Sequence, residues 1–318
     1  MKVTNAAEVK ALAESLLKNI STVIRGKDEV VQKVIVSLLS NGHILLEDIP
    51  GTGKTTLAKA LSKSVSCEFS RVQFTPDLLP SDLTGINFYN QKDGEFVFRK
   101  GAIFTNILLA DEINRATPRT QSSLLECMEE RQASVDGVTY KMDEPFLVIA
   151  TQNPIEIQGT FPLPEAQLDR FLMRLSIGYP DIKGELEMLS ARTSTDPMKA
   201  LEPVCGKEEI LSAQAVVREV KVSDAVKQYI VDLAHASRNN DKVRLGLSPR
   251  GALALMHAAQ AMAAVNGRDY VLPDDVKAVA PDVMCHRVLT KGHQIGSAGK
   301  NARDIVDAIL NSTQALVR

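Results

Sequence analysis

The residues best suited to chemistry begin with the run DIPGTGKTT, positions 48 to 56. Gly51 and Gly53 let the backbone curl until several amides converge on one anion, and a lysine followed by two threonines adds a cation and hydroxyls. The amides of Gly51, Thr52, Gly53, Lys54, Thr55 and Thr56 are expected to face phosphate oxygens, with Lys54 on the β- and γ-phosphates and the Thr55 hydroxyl on magnesium. The apolar run HILLE precedes the loop and the helix-like KTTLAKALSKSV follows it. That order puts a helix N-terminus, with its positive potential, behind the phosphates. The general pattern GxxxxGK[ST] has glycine where this chain has Asp48, and a plain strand-to-helix turn is the competing reading.

Two further runs carry groups of the matching kind. ILLADEIN, 107 to 114, is an apolar strand ending in two carboxylates. Asp111 is placed to hold magnesium through water, and Glu112 to polarise an attacking water. FLVIATQNP ends at Asn153, whose amide is suited to orienting that water or reading the γ-phosphate. Alone, an acidic pair after a strand is a solvated strand end, and an asparagine before proline is a turn former. Their position on successive strands after the glycine loop favours the chemical reading.

The elements that must hold these groups follow from hydrophobic patterning. HILLE, EFSRVQF, ILLADE, PFLVIAT and RLSIGY alternate with helical patterns, as in a parallel sheet covered by helices. FYNQKDGEFVF turns at Asp93 and Gly94, and ASVDGVTYKM at Asp136 and Gly137; both read as β-hairpins inserted into this α/β unit. After Pro180 the strand signals vanish, and DAVKQYIVDLAHAS and PRGALALMHAAQAMAAV have helical spacing. The expected division is an α/β nucleotide-binding domain over 1–179 and a helical lid over 180–318.

Bulk properties narrow the function. With 318 residues, 44% hydrophobic and 24% charged, the chain can bury a substantial core. A formal net charge of -2 gives no electrostatic reason to expect nucleic acid or an anionic membrane as the main partner. The cysteines Cys67, Cys127, Cys205 and Cys285 form no short pair, and the histidines show no metal-ligand spacing, so neither a disulfide framework nor a zinc site is suggested. No window approaches a membrane span, and the N-terminal 20 residues read as an amphipathic helix rather than a signal peptide, which makes a cytoplasmic protein the expectation.

Taken together, LLEDIPGTGKT, LLADEINRATPRTQSSLLECMEE, ATQNPIEIQGTFPLPEAQLDRFLM and GLSPRGALALMHAAQAMA resemble the signature blocks of MoxR-family AAA+ ATPases, over about Val23 to Val288. The resemblance implies a parallel five-stranded sheet of order 5-1-4-3-2 with a helical lid, a magnesium-dependent ATP hydrolase, and a ring, by family default a hexamer. It implies that Arg170, in EAQLDRF, is an arginine finger reaching the neighbouring subunit's γ-phosphate. Arg250, in GLSPRGA, would be a sensor projected from the lid onto the phosphates of its own subunit. Mundane alternatives are a surface ion pair of Arg170 with Asp169 and a solvated Arg250. An arginine at a helix N-terminus is electrostatically misplaced, which supports a ligand-directed role for Arg250. VIRGKDEVVQ resembles the stretch that cradles adenine, through Ile24 and Gly26, and Arg115 is a candidate for the subunit interface.

By the same resemblance the hairpins are a helix-2 insert near Phe88 to Phe98 and a pre-sensor-1 hairpin near Ala133 to Met142, both pore-facing. The output implied is chaperone-like maturation or activation of client proteins, with a von Willebrand factor A domain protein as a possible partner. A metal-chelatase motor subunit shares this machinery. A nucleotide-gated scaffold that barely hydrolyses ATP is the reading from another class.

Overall fold

Within the three central strands of the sheet, successive side chains are buried on opposite faces, the signature of a sheet covered on both sides. Ile44, Leu46, Ile107, Leu109, Leu147, Ile149, Met173 and Leu175 enter one core, while Leu45, Leu108, Ala110, Val148 and Ala150 enter another. The computed structural model describes every residue except Met1, Ile155, Ile157, Asp181, Lys183, 187–196, 292–297 and 316–318.

The chain begins with α1 (Ala6–Ser21) and α2 (Asp28–Leu39), then β1 (Ile44–Glu47), α3 (Lys54–Ser64), β2 (Phe69–Gln73) and the short α4 (Pro80–Thr84). The hairpin β3 (Gly85–Asn90) and β4 (Glu95–Lys100) precedes β5 (Ile107–Asp111) and α5 (Pro118–Glu130). The hairpin β6 (Gln132–Val135) and β7 (Val138–Lys141) precedes β8 (Leu147–Gln152), α6 (Glu165–Leu168) and β9 (Met173–Leu175). The sheet runs β2-β5-β8-β1-β9, with every neighbouring pair parallel. Counting only the five sheet strands in chain order, this is 5-1-4-3-2. All five strands therefore deliver their C-terminal ends to one edge.

Both hairpins form where the turn residues place them. Asp136 and Gly137 both have positive φ, 50° and 82°, and link β6 to β7 as a two-residue turn. The hairpins touch each other: Phe98 stacks on Tyr140 with centroids 4.0 Å apart, and Asn87 Nδ2 donates to Asp136 Oδ2 at 2.8 Å.

The lid contains the long helices Lys207–Arg218, Asp224–Arg238, Pro249–Val265, Pro273–Met284 and Ala298–Ser312. It adds one feature the hydrophobic pattern did not announce, a two-stranded antiparallel ribbon of Val243–Leu245 and Leu289–Thr290, too short to show a periodicity. The lid also packs back onto the start of the chain. Val9, Ala13, Leu16 and Ile20 of α1 share a core with Leu255, Ala258 and Met262, and Gln214 Nε2 donates to the Leu38 carbonyl at 2.7 Å.

Candidate active site

From β1 the chain turns through residues 48–53 into α3. Gly51 (φ +86°) and Gly53 (φ +90°) adopt left-handed backbone, and a Cβ built on either would meet nothing within 4 Å. The space beside both positions is open, and glycine is needed there for its backbone rather than for room. Lys54 begins α3, and its Nζ donates to the carbonyls of Asp48 (2.7 Å) and Ile49 (3.1 Å). Burial pulls its ammonium below its ordinary pKa, against Asp48, Asp111 and Glu112, whose carboxylates favour the charge. A partly desolvated cation beside an open curl of amides at a helix N-terminus fits a phosphate chain.

Asp48, the departure from the glycine pattern, has a structural task. Its carboxylate is buried and accepts from the amide of Ile177, the amide of Gly178 (3.2 Å) and the Ser176 hydroxyl (3.1 Å). It therefore ties the start of the loop to the chain leaving β9. Lys27 Nζ donates to the Tyr179 carbonyl at 2.7 Å, which brings the segment holding Ile24 and Gly26 against that same chain. Asp48→Ala leaves two amides without their acceptor and should cost about 1–3 kcal/mol for each group left unpaired. Chemical denaturation checks this, and an unchanged midpoint would show that Asp48 is dispensable.

Asp111 ends β5, and both its oxygens are engaged: Oδ1 accepts from Thr151 Oγ1 (2.6 Å) and Oδ2 from Arg71 (2.8 Å). Glu112 has φ +56°, a left-handed conformation that costs a non-glycine residue about 1–3 kcal/mol and redirects its side chain as the strand ends. Its amide donates to the same Thr151 hydroxyl (2.8 Å), so one side chain of β8 aligns both acids. Glu112 Oε2 accepts from Gln73 Nε2 (2.6 Å) and Arg115 (3.2 Å), and Arg115 also pairs with Glu156 (2.9 Å). Asn153 Nδ2 lies 3.5 Å from Glu156, one residue beyond the end of β8. Lys54, Thr55, Asp111, Glu112 and Asn153 thus stand on one edge, at or just past the ends of β1, β5 and β8. With Thr55 and Asp111, that edge offers the hard oxygen donors a magnesium ion takes.

The two arginines are elsewhere. Leu172 N donates to the His43 carbonyl (2.8 Å), and His43 Nε2 bonds the Met128 carbonyl (3.0 Å), so residues 128 and 172 both abut the residue that precedes β1. The intervening strands put four to five steps of about 3.3 Å, roughly 13–16 Å, between this edge and the loop edge. At this far edge Arg170 pairs with Glu129 through Nε (3.0 Å), not with Asp169. Arg250 pairs with the same Glu129 (3.0 Å) and approaches Asp169 (3.9 Å). The lid packs Arg250 beside Arg170, on the edge opposite the phosphate loop of its own subunit. It is also not simply solvated, because two carboxylates compensate a cation at the start of its helix.

Arg71, Gln73, Thr151 and Glu129 were absent from the sequence-based set. The rule that singled out Asn153, a polar residue where a buried parallel strand ends, also applies to Gln73 and Thr151. Glu129 lies in a charged run, MEER, where nothing distinguishes it.

Comparison with known proteins agrees with this geometry. Residues 43–173 match the model of the ATPase family associated with various cellular activities (AAA), and residues 235–309 match the AAA lid domain. The uncharacterized protein YeaC of Bacillus subtilis is 47% identical, covering 98% of this chain and 97% of that protein. Chaperone MoxR1 of Mycobacterium tuberculosis is 42% identical, over 89% of this chain and 77% of that protein. A crystal structure of a candidate ATPase from Cytophaga hutchinsonii superposes with a TM-score of 0.88 at 36% identity, covering 98% of this chain and 97% of that one. With a glycine loop, an acidic strand end and a polar strand end on one edge of a 5-1-4-3-2 sheet, and relatives of this closeness, the chain is a member of the MoxR family of AAA+ ATPases.

Proposed function

We propose that the protein hydrolyses magnesium-ATP at the interfaces of a ring of identical subunits and uses the cycle to remodel or activate client proteins. The observation that carries this reading is the separation of charges. The phosphate loop and the carboxylates occupy one edge of the sheet, whereas Arg170 and Arg250 occupy the other. Arginines on the far edge serve a nucleotide only if they belong to the next subunit.

In this reading the amides of residues 51–56 and Lys54 hold the phosphates, while Ile24 and Gly26 flank the base. Thr55 and Asp111 hold magnesium, which when bound would neutralise phosphate charge. Glu112 orients water and takes its proton, with Asn153 alongside. Glu112 must exchange its bonds to Gln73 and Arg115 for that water. The neighbour's Arg170 and Arg250 supply positive charge where it accumulates. The chaperone function of the output rests on kinship with chaperone MoxR1; a von Willebrand factor A domain partner belongs to the same proposal.

The test is ATP turnover per subunit across a dilution series, with assembly followed by sedimentation. Turnover should rise with concentration in step with assembly. A high rate that persists in the monomer would overturn the shared site. Tight ATP binding without turnover at any concentration would favour the nucleotide-gated scaffold.

A further inference from the structure

Five charged side chains from three parts of the chain meet at the far edge. Glu129 lies in the last turn of α5, Asp169 and Arg170 precede β9, and Arg250 and Arg287 come from the lid. Glu129 uses one oxygen for each arginine: Oε2 lies 3.0 Å from Arg170 Nε, and Oε1 lies 3.0 Å from Arg250. Asp169 continues the chain of pairs to Arg287, whose Nε donates to Asp169 Oδ1 at 2.6 Å. Arg287 is buried and also donates to the carbonyls of Asp169 (3.0 Å), Phe171 (2.6 Å) and Leu172 (3.1 Å), pinning both flanks of Arg170.

We infer that Glu129 is a positioning residue for the shared site, holding Arg170 and Arg250 as one unit aimed at the neighbouring subunit. This rests on the interface reading above. An arginine carries five N–H donors in a planar fork, and a pair made through Nε leaves the terminal nitrogens as donors to a second anion. Glu129 thus braces Arg170 without consuming the face a phosphate would use. It also separates like charges: three guanidiniums share two carboxylates, and without Glu129 the cations would be left with Asp169 alone and would repel one another. Burial, then Arg250 among the surrounding charges, already holds Arg287 below its ordinary pKa against the pull of Asp169. Because one carboxylate holds a lid residue and an α/β residue together, displacing either arginine disturbs the other.

The experiment uses full-length Glu129→Ala and Glu129→Gln, assayed alone and in equimolar mixtures. Alone, each should lose about 10²-fold in turnover, the scale of a misplacement of about 1 Å. Each should keep wild-type affinity for a non-hydrolysable ATP analogue, since the subunit's own loop is intact. Mixing with Glu112→Gln should restore turnover, because Glu112→Gln subunits carry intact arginines; mixing with Arg170→Ala should not. Turnover of both variants within threefold of wild type overturns the inference. So does failure of Glu129→Gln to recover with Glu112→Gln while Arg170→Ala does recover. If Arg170→Ala also fails to recover with Glu112→Gln, it is the interface reading itself that falls. Recovery in the mixture also shows that the variant folds and assembles.

Discussion

Arg170→Ala is expected to cut ATP turnover by about 10³- to 10⁵-fold while leaving nucleotide affinity near that of the wild type. That is the scale on which a trans-acting arginine contributes to phosphoryl transfer. The two effects separate because Arg170 stands at the edge opposite the loop of its own subunit and touches neither Lys54 nor Asp111. Stability should change little. Arg170 is a partly exposed partner in an ion pair, and pairs of that kind contribute about 0–1 kcal/mol. Steady-state turnover, analogue affinity and a melting curve on the same sample check all three statements. A rate within tenfold of wild type would remove Arg170 from the site, and a parallel loss of affinity would place it on the wrong edge.

Glu112→Gln should be the complementary lesion. Losing the group that orients water and takes its proton costs about 10²- to 10⁴-fold in turnover. ATP should bind at least as tightly as in the wild type, because one negative charge near the γ-phosphate is gone. The amide keeps the shape that Gln73 and Arg115 now grip, so the left-handed backbone at Glu112 has no reason to relax. Single-turnover assays with labelled ATP should show nucleotide retained uncleaved. Cleavage at near wild-type rate would transfer the role to another residue.

The loop edge was legible from sequence, and the far edge only in part, for a physical reason. Asp111 and Asn153 stand where buried apolar strands give way to polar residues, Lys54 follows the loop that leaves a third such strand, and a parallel sheet with one edge of C-terminal ends brings such positions together. Local pattern therefore fixed both the elements and the convergence. Arg170 and Arg250 were found only because their surroundings resembled a family. The packing of Arg250 beside Arg170 was not legible at all, since the angle at which a lid packs against a sheet leaves no trace in local spacing. Glu129 was invisible for a related reason: a glutamate on a helix surface acquires meaning only when two arginines from distant segments reach it. Asp48 is the reverse case, a residue that weakens the motif and yet, once folded, holds the motif in place.

The packing of α1 bears on folding cooperativity. Its buried face joins α2 and α3 to the lid helix Pro249–Val265 in a single core, so the two segments that match separate family models are not two independent folding units. A core shared in this way couples the unfolding of the two segments, and apolar surface that a lid rotation would expose belongs to the same reservoir that keeps the sheet folded. Any rotation of the lid against the sheet would have to open part of that shared core, so the stability of the whole chain would limit how far the lid could travel.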